Sequence, residues 1–387
     1  MQVELPAALQ AIAEEAERFS KSPRATFGLE ADWQAYLEQA RARVPELTID
    51  AAQATVCLGE LSPGCRACKE GTWDCIFVTQ KCNLDCAFCY NPQHIPLNHA
   101  GSAFGSTPEE IAGNYCHTRI TGISFSGGEP FLERQRLLDW AAYFREHFPQ
   151  SYLWVYTNGL RVEQDALQQL GRLKVDEIRF NTAASGYDHP TVLEVMRQAG
   201  KHIGRITVEI PAVPEHAEKV QRSLAIWAAA GVRYLNLHEL MFEPGTNSWK
   251  MNLPRQEVRL ADGHHTAVHP HSRAMMLKVI EQVQQQGLPL SVNQCSLQNK
   301  VRQVHGRRLN LLPLTQEPYE KLLPGDVLES YCLYHGSDPL LRCHPDQLDE
   351  MRQRYPQHGW VRLGRLAPLG VQDRGQWVMC EVEGRHG

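Results

Sequence analysis

Between residues 75 and 293 short apolar runs alternate with longer stretches of helical periodicity, and this alternation restricts the architecture more than any other feature. The runs fall at 75–79, 122–126, 152–157, 177–181, 207–211, 234–239 and 288–293, and helices are expected over 108–115, 132–147, 163–171, 191–199, 215–230 and 272–286. Strand and helix in turn build a parallel sheet, because a parallel neighbour is reached only through a crossover. The expected fold class is α/β, a partial (β/α)6 barrel. In barrels of this kind the side chains that do chemistry sit at the C-terminal ends of the strands.

The flanks read differently. Two helical stretches, 7–19 and 33–42, precede the barrel and are separated by Ser22-Pro23. From about residue 311 prolines, short β-like runs at 360–363 and 376–379 and one helix over 346–354 suggest a small α+β domain. The expected division is a helical, Cys-rich metal-binding extension over 1–74, the barrel over 75–310 and the α+β domain over 311–387. A chain of 387 residues is long enough to bury a substantial core in such an arrangement.

A net charge of -5 and a pI near 6.4 give no overall pull toward nucleic acid or anionic membranes. The chain has no long apolar span, and Met1-Gln2-Val3-Glu4-Leu5-Pro6 lacks a basic region followed by a hydrophobic one, so a cytoplasmic, soluble protein with no membrane or nucleic-acid partner is expected. Seven of the twelve cysteines lie between 57 and 89 at ligand-like spacings, which favours metal binding over disulfides.

The first of these groups is the loop after the 75–79 strand, Cys82-Asn83-Leu84-Asp85-Cys86-Ala87-Phe88-Cys89-Tyr90. Three thiolates at this spacing suit three irons of a cubane cluster, which leaves one iron open to a small molecule that binds through nitrogen and oxygen. A structural zinc site is the bland alternative. Upstream, Cys65 and Cys68 form a knuckle turned by Pro63-Gly64, and Cys57 and Cys75 complete a tetrathiolate for zinc or iron or hold a second iron-sulfur cluster. A strand at about 3.3 Å per residue separates Cys75 from Cys82 by roughly 20 Å, so this second centre reads as structural.

The Cys82 loop and, some forty residues later, Gly127-Gly128-Glu129-Pro130 together resemble the signature of the radical S-adenosylmethionine (SAM) superfamily. The resemblance implies a 4Fe-4S cluster on Cys82, Cys86 and Cys89, with Tyr90 following the third cysteine. It also implies SAM chelated at the open iron, with its ammonium held by Gly127, Gly128 and Glu129. Asn158, Arg179 and Asn181 stand where superfamily members touch the ribose and carboxylate, and 204–209 resembles the G-x-I-x-x-E stretch near the adenine, ending at Glu209. From about 64 to 308 the chain looks like a poorly characterised group related to pyruvate formate-lyase activating enzymes. Glycyl-radical activases often carry a basic residue near Glu209, and its acidic replacement departs from that pattern. The resemblance implies an electron donor such as flavodoxin or ferredoxin and a small-molecule or peptide substrate. The alternatives are a maturase or activase of a protein partner, 3-amino-3-carboxypropyl transfer, and a SAM-binding sensor.

Residues outside the motifs remain open. Asn158 precedes Gly159 and is also a turn former, and Arg179 also reads as a solvated surface charge. By strand alternation Asn236 and His238 face one way while Leu235, Leu237 and Glu239 face the other, and the first pair is expected in the cleft. Cys295, after the seventh run, is a candidate catalytic residue with His238; it donates a hydrogen atom, ligates a cluster or is a buried thiol. The His-rich stretch 262–271 reads as an exposed loop, a lid or a metal ligand set, and 300–308 as a basic helix. Cys332, Cys343 and Cys380 lack the dense spacing of a further cluster-binding extension and read as buried thiols or, with Cys295, as ligands of a second cluster.

Overall fold

The computed structural model describes residues 5–21, 29–50, 54–89, 107–115, 118–243, 247–248, 250–259, 265–335, 341–369 and 374–383. Two compact units divide the chain: Thr26–Val258 with Thr266–Gly306, and Met1–Ala25 with Arg259–His265 and Arg307–Gly387.

The larger unit is built on a nine-stranded sheet. Its strands are β1 (Thr48–Asp50), β2 (Thr55–Leu58), β3 (Trp73–Thr79), β4 (Gly122–Gly127), β5 (Tyr152–Thr157), β6 (Glu177–Phe180), β7 (Arg205–Ala212), β8 (Tyr234–Glu239) and β9 (Ser291–Cys295). They lie in the order β1-β2-β9-β8-β7-β6-β5-β4-β3. The run from β3 to β9 is parallel, as the alternation predicts, while β2 pairs antiparallel to β9 and β1 to β2. The crossover helices fall close to their expected positions, among them Arg134–His147, Pro190–Ala199, Ala217–Ala229 and Ser272–Gln285.

The two faces of the sheet have opposite chemistry. Ile76, Val78, Ile123, Phe125, Leu153, Val155, Ile178, Ile206, Val208, Leu235, Leu237 and Val292 pack with helix residues such as Leu137, Phe144, Met196, Trp227 and Ile280 into one core. The alternate positions carry Tyr156, Glu177, Arg179, Glu209, Asn236, His238, Asn293 and Cys295 on the other face. The expected split of Asn236 and His238 from Leu235 and Leu237 is therefore observed.

A seven-residue helix, Pro63–Lys69, occupies the polar face. A Cβ on Gly64 would collide with the Arg179 guanidinium, and one on Gly122 would lie 2.8 Å from Ala67 and 2.9 Å from Trp154. On its other side Cys65 Sγ donates to Asn236 Oδ1 at 3.4 Å and accepts from Asn293 Nδ2 at 3.8 Å. One short helix thus meets β4 and β5 as well as β8 and β9, which requires the sheet to curl around it into a partial barrel. Ser62 caps this helix, its Oγ accepting from Cys65 N at 3.2 Å. Ser62→Ala is expected to cost about 1 kcal/mol, read as a lower urea midpoint.

The smaller unit contains the helix Ala7–Lys21 and an antiparallel sheet of Lys321–Leu323, Val327–Tyr334, Leu341–Cys343, Gly359–Leu366 and Trp377–Glu383. Leu9, Cys332, Tyr334, Val361 and Leu363 form its core on one side, with Leu5 and Ile12 packed against them. Tyr331, Leu333, Cys343, Leu348 and Trp360 form another cluster.

These units cut the chain differently from the division at 74 and 310. The Ala7–Lys21 helix groups with the C-terminal sheet, because its apolar stripe covers that sheet. The Cys-rich segment joins the barrel, because Thr55–Leu58 is one of its strands. Among the described residues no helix is long and apolar enough to cross a membrane.

Candidate active site

Cys82, Cys86 and Cys89 follow the C-terminal end of β3, and each is half-buried. Cys89 N donates to Cys86 O at 3.1 Å, which turns the chain between these two cysteines. Burial, followed by the neighbouring Cys89 and Cys82, pushes the Cys86 thiol up to about 12. Burial likewise raises Cys82. A cationic cluster would reverse the balance at Cys82 and Cys86 by drawing off their protons. A cubane takes each thiolate on a different iron, so its ligands need not close on one ion. Among the described residues no group of three or more His, Cys, Asp or Glu side chains does so. Tyr90 lies outside the described residues.

The glycines at the end of β4 are fitted to this loop. Gly127 has φ +125°, and a Cβ there would run into the Thr79 carbonyl, as one on Gly128 would into that of Lys81. Gly128 N donates to Thr79 O at 2.7 Å and Glu129 N to Lys81 O at 2.8 Å. The GGE backbone is thereby laid along the start of the cysteine loop. The Glu129 side chain does something other than the expected capture of an ammonium. Fully buried, its carboxylate accepts from Thr157 Oγ1 at 2.8 Å, Asn158 N at 2.7 Å and Phe131 N at 3.3 Å. Burial pushes its pKa up to about 7 against these donors. Glu129 therefore braces the end of β5, and the backbone carbonyls of the glycines are the groups suited to a ligand ammonium.

Asn158 continues the brace. Its Nδ2 donates to Asn83 Oδ1 in the cysteine loop at 2.8 Å, while its Oδ1 accepts from Leu160 N at 3.0 Å. The turn reading is thus observed, and the same side chain ties the turn to the cysteine loop. Asn181, after β6, is different: its Oδ1 is buried and has no hydrogen-bond partner among the described residues, as is also true of Thr182 Oγ1 next to it. Buried acceptors are nearly always paired, so this strand end is suited to a ligand donor such as a hydroxyl.

Arg179 is neither a surface charge nor a free ligand group. It is 3% exposed, bridges Glu177 and Glu209 at 2.8 Å each, donates to Ser62 Oγ at 3.2 Å and lies 4.7 Å over the Trp154 ring. Its donors are spent inside the barrel. Glu209 accepts from Arg179, from Asn236 Nδ2 at 2.9 Å and from His238 Nε2 at 2.9 Å. Burial alone would raise the Glu209 carboxyl, but Arg179 and then His238 hold it well below the usual range. Sequence reasoning missed Glu177, although the Glu177-Ile178-Arg179 alternation places it on the inward face with Arg179.

His238 and Cys295 are register partners on β8 and β9. Burial opposes charge on both, yet each overcomes it through the other. The thiolate, with Glu209, holds the imidazole up at about 9, and the imidazolium brings the thiol down to about 6. The four upstream cysteines separate. Cys75 lies on β3 near Tyr156, whereas Cys57 lies near Cys65, and Cys68 near Cys65 and Cys295.

Of the His-rich stretch, 262–264 lies outside the described residues. His269 is buried and hydrogen-bonded to Glu215 at 3.1 Å. The basic stretch 300–308 belongs to the helix Leu297–Thr315, where Arg308 pairs with Asp326 at 3.5 Å.

Residues 63–177 match a family model described as a 4Fe-4S single cluster domain. A protein of Methanocaldococcus jannaschii named as a candidate glycyl-radical enzyme activating enzyme is 24% identical over 297 residues, covering 73% of this chain and 76% of that protein. The anaerobic ribonucleoside-triphosphate reductase-activating protein of Enterobacteria phage T4 is 26% identical over 118 residues, 30% of this chain and 69% of that protein. Among solved structures, Streptococcus suis SuiB bound to S-adenosylmethionine aligns with a TM-score of 0.43 at 13% identity over 58% of this chain. The alignment spans about half of that structure's length, 50%.

Proposed function

We propose that this chain, which joins the radical SAM motifs to a 4Fe-4S single cluster domain, reductively cleaves SAM and acts through the radical released. When bound, the cluster on Cys82, Cys86 and Cys89 supplies the electron for cleavage and an open iron for the SAM amino and carboxylate groups. The observation that carries the reading is the hydrogen-bonded seam of Gly128 and Glu129 on Thr79 and Lys81, which fixes the glycine carbonyls beside the cysteine loop. Glu129 and Asn158 hold the neighbouring strand end and Asn83 in place. Asn181 offers its unpaired Oδ1 to a ribose hydroxyl. The curled sheet with its helical plug shields the interior from water, which protects a radical from side reactions.

The substrate we favour is a peptide or protein, because both curated relatives are named for activating an enzyme. A small molecule is the second reading, favoured by a polar barrel face already crowded with Arg179, Glu209 and His238. A low-potential donor such as flavodoxin or ferredoxin would supply the electron.

SAM binding tests the assignment of the strand ends. In anaerobically reconstituted protein, Asn181→Leu is expected to weaken SAM binding by about 1–3 kcal/mol, roughly five- to 150-fold, because the leucine offers no acceptor. Unchanged affinity by calorimetry would remove Asn181 from the site.

A further inference from the structure

The barrel interior holds a second group of thiols, and it is not the group that spacing along the chain suggests. Cys57 on β2 stands directly opposite Asn293 on β9. Cys295, two residues further along β9, presents its side chain on the same face as Asn293. Asn293 Nδ2 in turn reaches Cys65 Sγ at 3.8 Å. Cys65 and Cys68 sit three positions apart on the Pro63–Lys69 helix and share one of its faces. Cys57 lies close enough to Cys65, and Cys68 to Cys295 and Cys65, for their charges to act on one another.

A separate observation points to what joins them. Lys69 is 5% exposed, and its Nζ is buried with no hydrogen-bond partner among the described residues. Its charge bears on both Cys57 and Cys295. A buried ammonium with no acceptor is strongly unfavourable. Four thiolates on a metal centre carry net negative charge and would compensate Lys69.

We propose that Cys57, Cys65, Cys68 and Cys295 ligate a second iron-sulfur cluster inside the barrel, with Lys69 beside it as the compensating cation. The helix supplies two ligands, and the antiparallel strands β2 and β9 supply one each. Cys75, on β3 near Tyr156, is excluded from the set. His238 contacts the cluster ligand Cys295 from the cleft side and, through Glu209, ties the cluster to Arg179. A cubane is favoured over a single zinc ion because its four ligands bind separate irons and need not meet at one point.

Iron and sulfide analysis with Mössbauer spectroscopy tests this, independently of the SAM site. The wild type, reconstituted anaerobically, should hold about eight irons per chain, and the Cys82→Ala/Cys86→Ala/Cys89→Ala variant about four, as cubane iron. Adding Cys295→Ser or Cys65→Ser to that variant should remove the remaining iron, whereas adding Cys75→Ser should leave it. Circular dichroism on each variant separates lost ligation from lost fold, and the wild-type count stands even where a variant does not fold. A wild-type count of about four, zinc in place of iron, or loss of iron with Cys75→Ser but not with Cys295→Ser would each overturn the proposal.

Discussion

Cys86→Ala protein, reconstituted anaerobically and supplied with a strong reductant, should release no nucleoside from SAM above the enzyme-free background. Cys86 is the middle member of a three-thiol set, and its thiol feels both Cys89 and Cys82. Its removal leaves a second iron of the cubane, besides the open one, without a protein ligand, so the cluster that would supply the electron is not held. The substitution lies in a half-buried loop outside the apolar core, so the far-ultraviolet dichroism and urea midpoint of the apo-protein should stay near the wild type. Turnover retained in this variant would remove the loop from the chemistry.

The second large effect is on stability. Arg179→Met should cost about 3–5 kcal/mol, because it leaves Glu177 and Glu209 buried without their shared cation. Glu177 is fully buried, and Thr207 Oγ1, donating to its Oε1 at 2.6 Å, is neutral and does not replace the lost cation. The wild-type pH dependence follows from Glu209. Its folded carboxyl is held below the ordinary value of 4.5, so the stability it contributes is present above that pH. That contribution is lost as pH falls toward the folded value. In Arg179→Met the Glu209 carboxylate loses the cation that lowers it and is pushed toward protonation, and the variant should recover part of its deficit on acidification from pH 7 to pH 5. Urea titrations at the two pH values read this directly; an equal deficit at both would show that the carboxylates are not what the arginine compensates.

Sequence order reveals some of this site and conceals the rest for a definable reason. The cysteine loop and the GGEP turn are legible because each is contiguous and its chemistry depends on residues a few positions apart. The facing of Asn236 and His238 is legible because strand alternation needs only one strand. The partners of Arg179 are not, because Glu209 lies thirty positions away and meets it only through the pairing of β6 with β7. The same limit explains Cys75. It is the nearest fourth cysteine in sequence, whereas the fourth ligand we propose, Cys295, comes beside the β2 strand of Cys57 only through the pairing of β9 with β2. The N-terminal helix shows the limit at domain scale: periodicity marks the stripe of Leu5, Leu9 and Ile12 but not the sheet that it covers.

The most direct measurement of the central claim is the identity of the nucleoside formed when reconstituted wild-type protein, with its cluster shown to be reduced by electron paramagnetic resonance, is incubated with SAM without oxygen. The account predicts 5'-deoxyadenosine. Intact SAM in protein carrying the reduced cluster, or methylthioadenosine as the product, would contradict it.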